Sequence, residues 1–259
     1  MISVIIPAHN EADVIGACVR SVRAASAHPQ LKGERVLVIA VADACMDHTE
    51  AFASAAGAFV MSVFKRNVGS ARAFGAELAI AHGARWLAFT DADTTVPPNW
   101  LSAQLRCDAD AVCGVINVVD WTEHAEDVRT DFYNNYRDID GHRHIHGANL
   151  GCSVEAYTKA GGFQSLAFNE DVALVDALVA TNATIASSNS VMVVTSARLD
   201  SRAPRGFGAT LRAVSLRLGD IAPVVAHHDA LEAWAPVPSS RQRDEHESNS
   251  PLSPTQAAL

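Results

Sequence analysis

The chain has 259 residues, 49% of them apolar, enough to bury a sizeable core as one large or two small domains and to exclude a disordered or fibrous chain over most of its length. Lys and Arg number 20 against 29 Asp and Glu, a formal charge of −9, which argues against nucleic acid or a broad anionic membrane surface as a partner. A small anionic ligand held by a few cations or by a metal stays open, because net charge says nothing about a local site.

Five cysteines, Cys18, Cys45, Cys107, Cys113 and Cys152, make no C-x-x-C pair. A disulfide framework or structural zinc cluster is therefore not expected, and a reducing compartment is. Ile2-Ser3-Val4-Ile5-Ile6-Pro7 has no basic region before it, and no apolar run reaches the roughly 18 to 20 residues of a membrane span. The expectation is a cytoplasmic protein with no span and at most peripheral contact with a membrane.

Short runs rich in β-branched residues alternate with helix-period segments, the pattern of an α/β domain with a largely parallel sheet. Residues 3–6 are predicted as the first strand, with Asn10 as N-cap of a helix whose Val14, Ile15, Cys18, Val19 and Val22 share a face. Residues 36–42, too apolar for a solvated face, are predicted as a central strand. A strand over 59–64, a helix over about 69–82 and a strand over 86–90 follow, the last ending at Asp91-Ala92-Asp93. Beyond Pro97-Pro98 the alternation weakens into a strand over 110–119, a polar helix over 123–140, and a loop carrying His142, His144 and His146. A strand over 149–154, a short helix over 155–160 stopped by Gly161-Gly162, and an amphipathic helix over 171–180 complete the pattern. From Pro236 the composition turns to Pro, Ser, Gln and mixed charge, so 236–259 is expected as a mobile tail behind a single domain over 1–235.

Ligands of open α/β sheets bind at the carboxyl ends of the parallel strands. Those ends carry Pro7-Ala8-His9-Asn10-Glu11, then Asp43 with Asp47 and Thr49, then Asp91-Ala92-Asp93. Three acidic turns at one edge repel one another unless a cation or hydrogen-bond donors compensate. Two hard carboxylates one residue apart suit a divalent Mg2+ or Mn2+ that also takes diphosphate oxygens; an isolated pair of this kind also caps turns. The sequence has no G-x-G-x-x-G after the first strand, no P-loop and no nucleophile elbow, which leaves metal and arginine to hold a phosphate. His144 and His146 share a face of an extended segment and suit a transition metal, but with no third ligand in view a polar loop is the favoured reading. Phe132, Tyr133 and Tyr136 are read as packing ahead of sugar stacking.

Six segments occur in order: Val4-Ile5-Ile6-Pro7-Ala8-His9-Asn10-Glu11, Asp43-x-x-x-Asp47-x-Thr49, Asn67-x-Gly69-x-Ala71-Arg72-x-x-Gly75, Asp91-x-Asp93, Gly147-Ala148-Asn149 and Glu170-Asp171. Together they resemble the nucleotide-sugar glycosyltransferases of family 2, over roughly residues 2–215. The resemblance implies the GT-A fold, a Rossmann-like mixed sheet flanked by helices, with 1–96 as the nucleotide-binding half and 97–235 as the acceptor half. It implies that Pro7, Ala8, Asn10 and Glu11 line the nucleoside pocket, that Asp43 accepts from the base imide, and that Arg66 or Arg72 approaches base and diphosphate. Asp91 would contact the ribose or the metal, Ala92 would lie beside it in the donor site, and Asp93 would ligate Mn2+ or Mg2+. Gly147, Ala148, Asn149 and Glu170 would form the acceptor site, with Asp171 as general base. Segment 195–206, carrying Arg198 and Arg205, would fold over the diphosphate.

The chain departs from the family pattern at Ala42-Asp43, where an acidic pair is usual, at Ala44-Cys45 in place of glycine-serine, and at Ala73 where Asn is common. No glutamine-and-tryptophan signature of processive synthases occurs, so one transfer per binding event is expected; the metal's second protein ligand has no assignment. The expected activity is metal-dependent, inverting transfer of a sugar from a nucleoside diphosphate donor, taken as a UDP-sugar, to a small-molecule or lipid-linked acceptor. Asp171 would take the acceptor proton while the metal stabilises the leaving oxygen. Asp171 equally suits a helix N-terminal carboxylate facing the dipole. The altered turn at 42–45 raises a second reading, a catalytically silent nucleotide-sugar-binding module, and the histidines a third, a metal-dependent hydrolase using Asp91 or Asp93.

Overall fold

The computed structural model describes residues 1–200 and 207–219. Strand β1 (Ile2–Ala8) alternates Val4 and Ile6 into one apolar layer and Ile5 into the other. Helix α1 (Ile15–Ser26), β2 (Val36–Asp43), α2 (Thr49–Ala55), β3 (Phe59–Val63), α3 (Val68–Ala81) and β4 (Trp86–Phe89) follow. The chain continues with α4 (Trp100–Arg106), β5 (Ala111–Asn117), α5 (Glu126–Asn135), β6 (Leu150–Ser153), α6 (Val154–Lys159), α7 (Glu170–Ala180), β7 (Ile185–Val194) and α8 (Phe207–Leu218).

The strands form one mixed sheet in the order β3-β2-β1-β4-β6-β5-β7, with β6 antiparallel to both of its neighbours. Because β6 reverses between β4 and β5, the carboxyl ends of β1, β2, β4, β5 and β7 still meet at one edge. Helices α1, α2, α4, α5 and α8 pack on one face and α3, α6 and α7 on the other. Small residues set the spacing of α3: Gly75 lies so close to β1 that a Cβ there would stand 2.5 Å from the Ile5 side chain.

Three expectations change. Strand β2 is interior, yet second from the sheet's edge. Asn10 does not cap α1: it takes a left-handed φ of 52° and its side chain turns to Met46 N, so the helix begins five residues later at Ile15. The polar helix stops at Asn135 because Tyr136 is extended. Three elements, β7, α4 and α8, had no strand or helix assigned to them. The polar Ser187-Ser188-Asn189-Ser190 within β7 hides its periodicity, and a register shift opposite Gly114/Val115 absorbs it; α4 is only 7 residues long. The tail expected over 236–259 lies outside the described residues.

Asn149, fully buried in a 3-10 turn (Gly147–Asn149), holds the bulged region together. Its Oδ1 accepts from Trp100 Nε1 at 2.8 Å, and its Nδ2 donates to the carbonyls of Val115 and Val191, each at 2.8 Å. Nearby, the Tyr136 hydroxyl accepts from Ile116 N at 2.9 Å and so donates to His146 Nε2 at 3.1 Å. The Tyr136 and His144 rings stack at 4.1 Å, and His142 and His146 stack on His144 at 5.3 and 5.8 Å. The three histidines thus lie in the expected loop, with their rings stacked on one another. Near-parallel rings do not converge on one ion, and among the described residues no group of three or more His, Cys, Asp or Glu could hold a metal. The near-parallel stack gives the hydrolase reading no support.

Two outcomes are expected. Asn149→Ala orphans the Trp100 donor and two carbonyls, and urea unfolding should show a loss of about 3 kcal/mol. Burial, followed by the neighbouring His144 and His142, pushes His146 from 6.5 down to about 3, so the folded state keeps it neutral where the unfolded chain protonates it. That contribution is complete above pH 6.5 and is lost as pH falls toward 3, by about 1.4 kcal/mol per pH unit. Urea titrations at neutral and mildly acid pH should show the loss, and His146→Gln should flatten it.

Candidate active site

Pro7 and Ala8 end β1, and the chain then turns through His9, Asn10 and Glu11. Cys45 closes this turn: its Sγ accepts from Asn10 N at 3.4 Å and donates to the Ala8 carbonyl at 3.4 Å. Thr49 Oγ1 accepts from Glu11 N at 2.7 Å and donates to Asp47 Oδ1 at 2.5 Å, while Asp47 Oδ2 accepts from Ala12 N at 3.1 Å. The Asp47-x-Thr49 spacing therefore shapes the turn that carries Glu11.

Asp43 ends β2 with 4% exposure. Its Oδ1 accepts from Lys65 N at 2.6 Å and Arg66 N at 2.8 Å, and its Oδ2 from Asn67 N at 2.8 Å. His9 Nδ1 donates to the Asp43 carbonyl at 2.6 Å. The carboxylate thus fastens the 65–67 loop to the sheet, and Oδ2 keeps room for one further donor. Asn67 then caps α3 by accepting from Ser70 N at 2.8 Å.

The two arginines suggested for base and diphosphate differ in kind. Arg66 is exposed at the rim. Arg72 is 3% exposed, with Nη2 on Asp91 Oδ1 at 2.6 Å, Nη1 on Glu170 Oε1, and its guanidinium carbon 5.7 Å from the Phe163 ring centre. A third arginine enters from beyond β7. Arg198 grips Glu11 with both Nη atoms, at 2.8 and 2.5 Å, and reaches Asp93 Oδ2 at 3.2 Å. Its segment is braced by His124 Nε2 donating to the Ala197 carbonyl at 2.5 Å and Leu199 N donating to Glu123 Oε2 at 2.7 Å. Ala92 is buried between Asp91 and Asp93. Arg205 lies outside the described residues.

Burial and then Asp91 push the Asp93 carboxyl up to about 7, against the pull of Arg198. Burial likewise raises Glu170, against the pull of Arg72. Glu11, Asp91, Asp93, Glu170 and Asp171 thus outnumber Arg72 and Arg198 around the cleft. A hard divalent cation fits this oxygen-rich surplus of negative charge.

Asp171 stands in the first turn of α7, half-buried. Its Oδ2 accepts from Gly147 N at 2.7 Å and its Oδ1 from Val172 N at 2.8 Å. Gly147 leaves no space for a side chain: a Cβ would lie 2.3 Å from Arg72 Nη2. Ala148 is buried, and the Asn149 side chain faces the core with its amide fully engaged, so neither side chain opens into the cleft.

Four turns bordering this edge hold non-glycine residues at left-handed φ: Asn10 at 52°, Ala44 at 53°, Arg66 at 49° and Asn169 at 57°. Nothing in the types Ala44 and Arg66 signals this geometry, which costs about 1 kcal/mol or more per residue and collects at functional sites. Glu123 and His124 were also invisible as site-shaping residues, because their partners lie 76 and 73 residues away in sequence.

Residues 3–164 match the family model described as Glycosyl transferase family 2. No curated protein sequence matches the chain. Staphylococcus aureus TarS 1-349 in complex with UDP-GlcNAc is similar with a TM-score of 0.60 and 14% identity, over 89% of this chain and 68% of that one. The mannosyltransferase PcManGT from Pyrobaculum calidifontis, in complex with GDP-Man and Mn2+, is similar with a TM-score of 0.59 and 18% identity, over 86% of this chain and 65% of that one. Glucosyl-3-phosphoglycerate synthase from Mycobacterium tuberculosis, in complex with phosphoglyceric acid, gives a TM-score of 0.52 and 19% identity, over 86% and 81% of the two chains. At these identities the likeness shows the fold, the mixed α/β sheet of GT-A glycosyltransferases. With more than half of its length matched by the family model, the chain belongs to glycosyltransferase family 2.

Proposed function

We propose that this enzyme transfers one sugar per binding event, with inversion, from a nucleoside diphosphate sugar to an acceptor hydroxyl, and that donor binding requires Mn2+ or Mg2+ at Asp91 and Asp93. The observation that carries this reading is the surplus of carboxylates at the sheet's carboxyl edge, where an anionic donor would otherwise be repelled. When bound, the cation would neutralise the leaving diphosphate as a Lewis acid.

Pro7, Ala8, Asn10 and Glu11 border the nucleoside pocket, and Arg66 approaches from the rim. The remaining acceptor position on Asp43 Oδ2 suits the single imide donor of uracil, which favours a UDP-sugar. Arg198 is placed to follow the diphosphate, and Arg205 belongs to the same basic segment. Asp171 is the general base: it takes the acceptor proton as the acceptor oxygen bonds to the anomeric carbon, and the bond from that carbon to the diphosphate breaks with release of the nucleoside diphosphate. Gly147 holds the Asp171 carboxylate through its backbone N–H, so the acceptor site is built on Gly147 and Asp171, with Ala148, Asn149 and Glu170 supporting it from below. The acceptor is a small molecule or a lipid-linked one. No helix among the described residues is long and apolar enough to cross a membrane.

The test is calorimetric titration with UDP- and GDP-sugars, with and without Mn2+ or Mg2+, alongside nucleoside diphosphate release. Binding should need metal and be lost in Asp93→Ala. Asp171→Asn should keep binding while release falls by about 1,000-fold. Absence of binding to every nucleotide sugar would overturn the reading, and binding without release over a broad acceptor panel would leave a silent binding module.

A further inference from the structure

Arg72 touches three segments far apart in sequence: Asp91 at the end of β4, Glu170 in the first turn of α7, and Gly147 at the start of the 3-10 turn. Its two Nη atoms are divided between the two carboxylates, one on the donor side of the cleft and one on the acceptor side. One guanidinium face lies over Phe163, which packs edge-on against Phe89 of β4 at 4.9 Å, so the clamp rests on the sheet itself. Gly147 stands against the guanidinium at a distance only a residue without Cβ tolerates.

Both residues that border this guanidinium on the acceptor side also fix Asp171. Glu170 precedes it in the same helical turn, and Gly147 N donates to its Oδ2 at 2.7 Å. Displacing the guanidinium therefore moves the chain on both sides of the Asp171 carboxylate. We infer that Arg72 is a positioning residue: its guanidinium, clamped between Asp91 and Glu170 and pressed against Gly147, sets where the Asp171 carboxylate stands relative to the donor side. This rests on the reading of Asp171 as general base. A planar fork meets two carboxylates in one geometry, whereas a lysine ammonium supplies the same charge without the second fixed arm. Charge neutralisation alone and positioning are thereby separable.

The experiment compares wild type, Arg72→Lys and Gly147→Ala, with kcat normalised to calorimetric donor-binding sites and thermal unfolding recorded for each. Arg72→Lys is expected to keep its donor Kd and acceptor KM within about threefold while kcat falls by about 100-fold, the cost of an ångström-scale misplacement. Gly147→Ala, which leaves every charge in place, should also lower kcat, by about tenfold or more. A folded Arg72→Lys with kcat close to wild type would reduce Arg72 to charge neutralisation and overturn the inference. Loss of donor binding in Arg72→Lys would place the arginine on the donor and overturn it as well. If Gly147→Ala does not fold, Arg72→Lys decides alone. Wild type that binds no nucleotide sugar, or releases no nucleoside diphosphate with any acceptor, would remove the catalytic reading and this inference with it, a result visible before any variant is made.

Discussion

Carboxylates gathered at the end of a buried sheet must be compensated, and two arginines from distant parts of the chain meet that requirement in part. Two opposite charges 4 Å apart gain about 4 kcal/mol at an effective dielectric of 20, before the cost of desolvation is subtracted. Arg72 and Arg198 supply that gain, one buried beneath the 3-10 turn at Gly147 and one brought in from beyond β7. Their contribution is incomplete: the Asp93 carboxyl stays raised to about 7 although Arg198 stands 3.2 Å away. What is left over is a surplus of carboxylates over arginines at this edge.

The scaffold makes this crowding tolerable by holding its members rigidly apart. Reversal of β6 lets β5 and β7 add to the same edge as β1, β2 and β4, which is how a residue as late as Arg198 arrives beside Glu11. Asn149 then joins α4, β5 and β7 through three hydrogen bonds, and the loop that holds Glu123 and His124 braces the Arg198 segment from outside. Strain is accepted in return. Ala44 and Arg66 take backbone conformations that glycine would adopt more easily, at the two turns that frame Asp43.

Interactions within the edge are also shared between the two halves of the cleft. Asp43 anchors the loop that leads into α3, and α3 presents Arg72, which joins Asp91 to Glu170. The end of β4 and the first turn of α7 are thus joined through one side chain. The overlap of structural and chemical roles in the same few residues explains why Gly147 and Gly75 admit no side chain: backbone and guanidinium, or helix and strand, occupy that space.

The strands that carry Pro7, Asp43 and Asp91, and the acidic turns behind them, were legible in the sequence because buried parallel strands read as unbroken apolar runs ending in polar residues. The family resemblance was legible for the same reason: its motifs sit where short-range periodicity stops. Strand β7 was not legible, since its polar middle is rescued only by pairing with β5, and neither was the left-handed turn at Asn10, whose side chain serves Met46 and not α1. By itself the sequence determined the α/β alternation, the placement of carboxylates at strand ends and the family. Tertiary structure alone decided which arginine is locked and which is exposed, that Asn149 faces the core, and that the histidines stack, because each outcome depends on partners dozens of residues away whose contact no local pattern encodes.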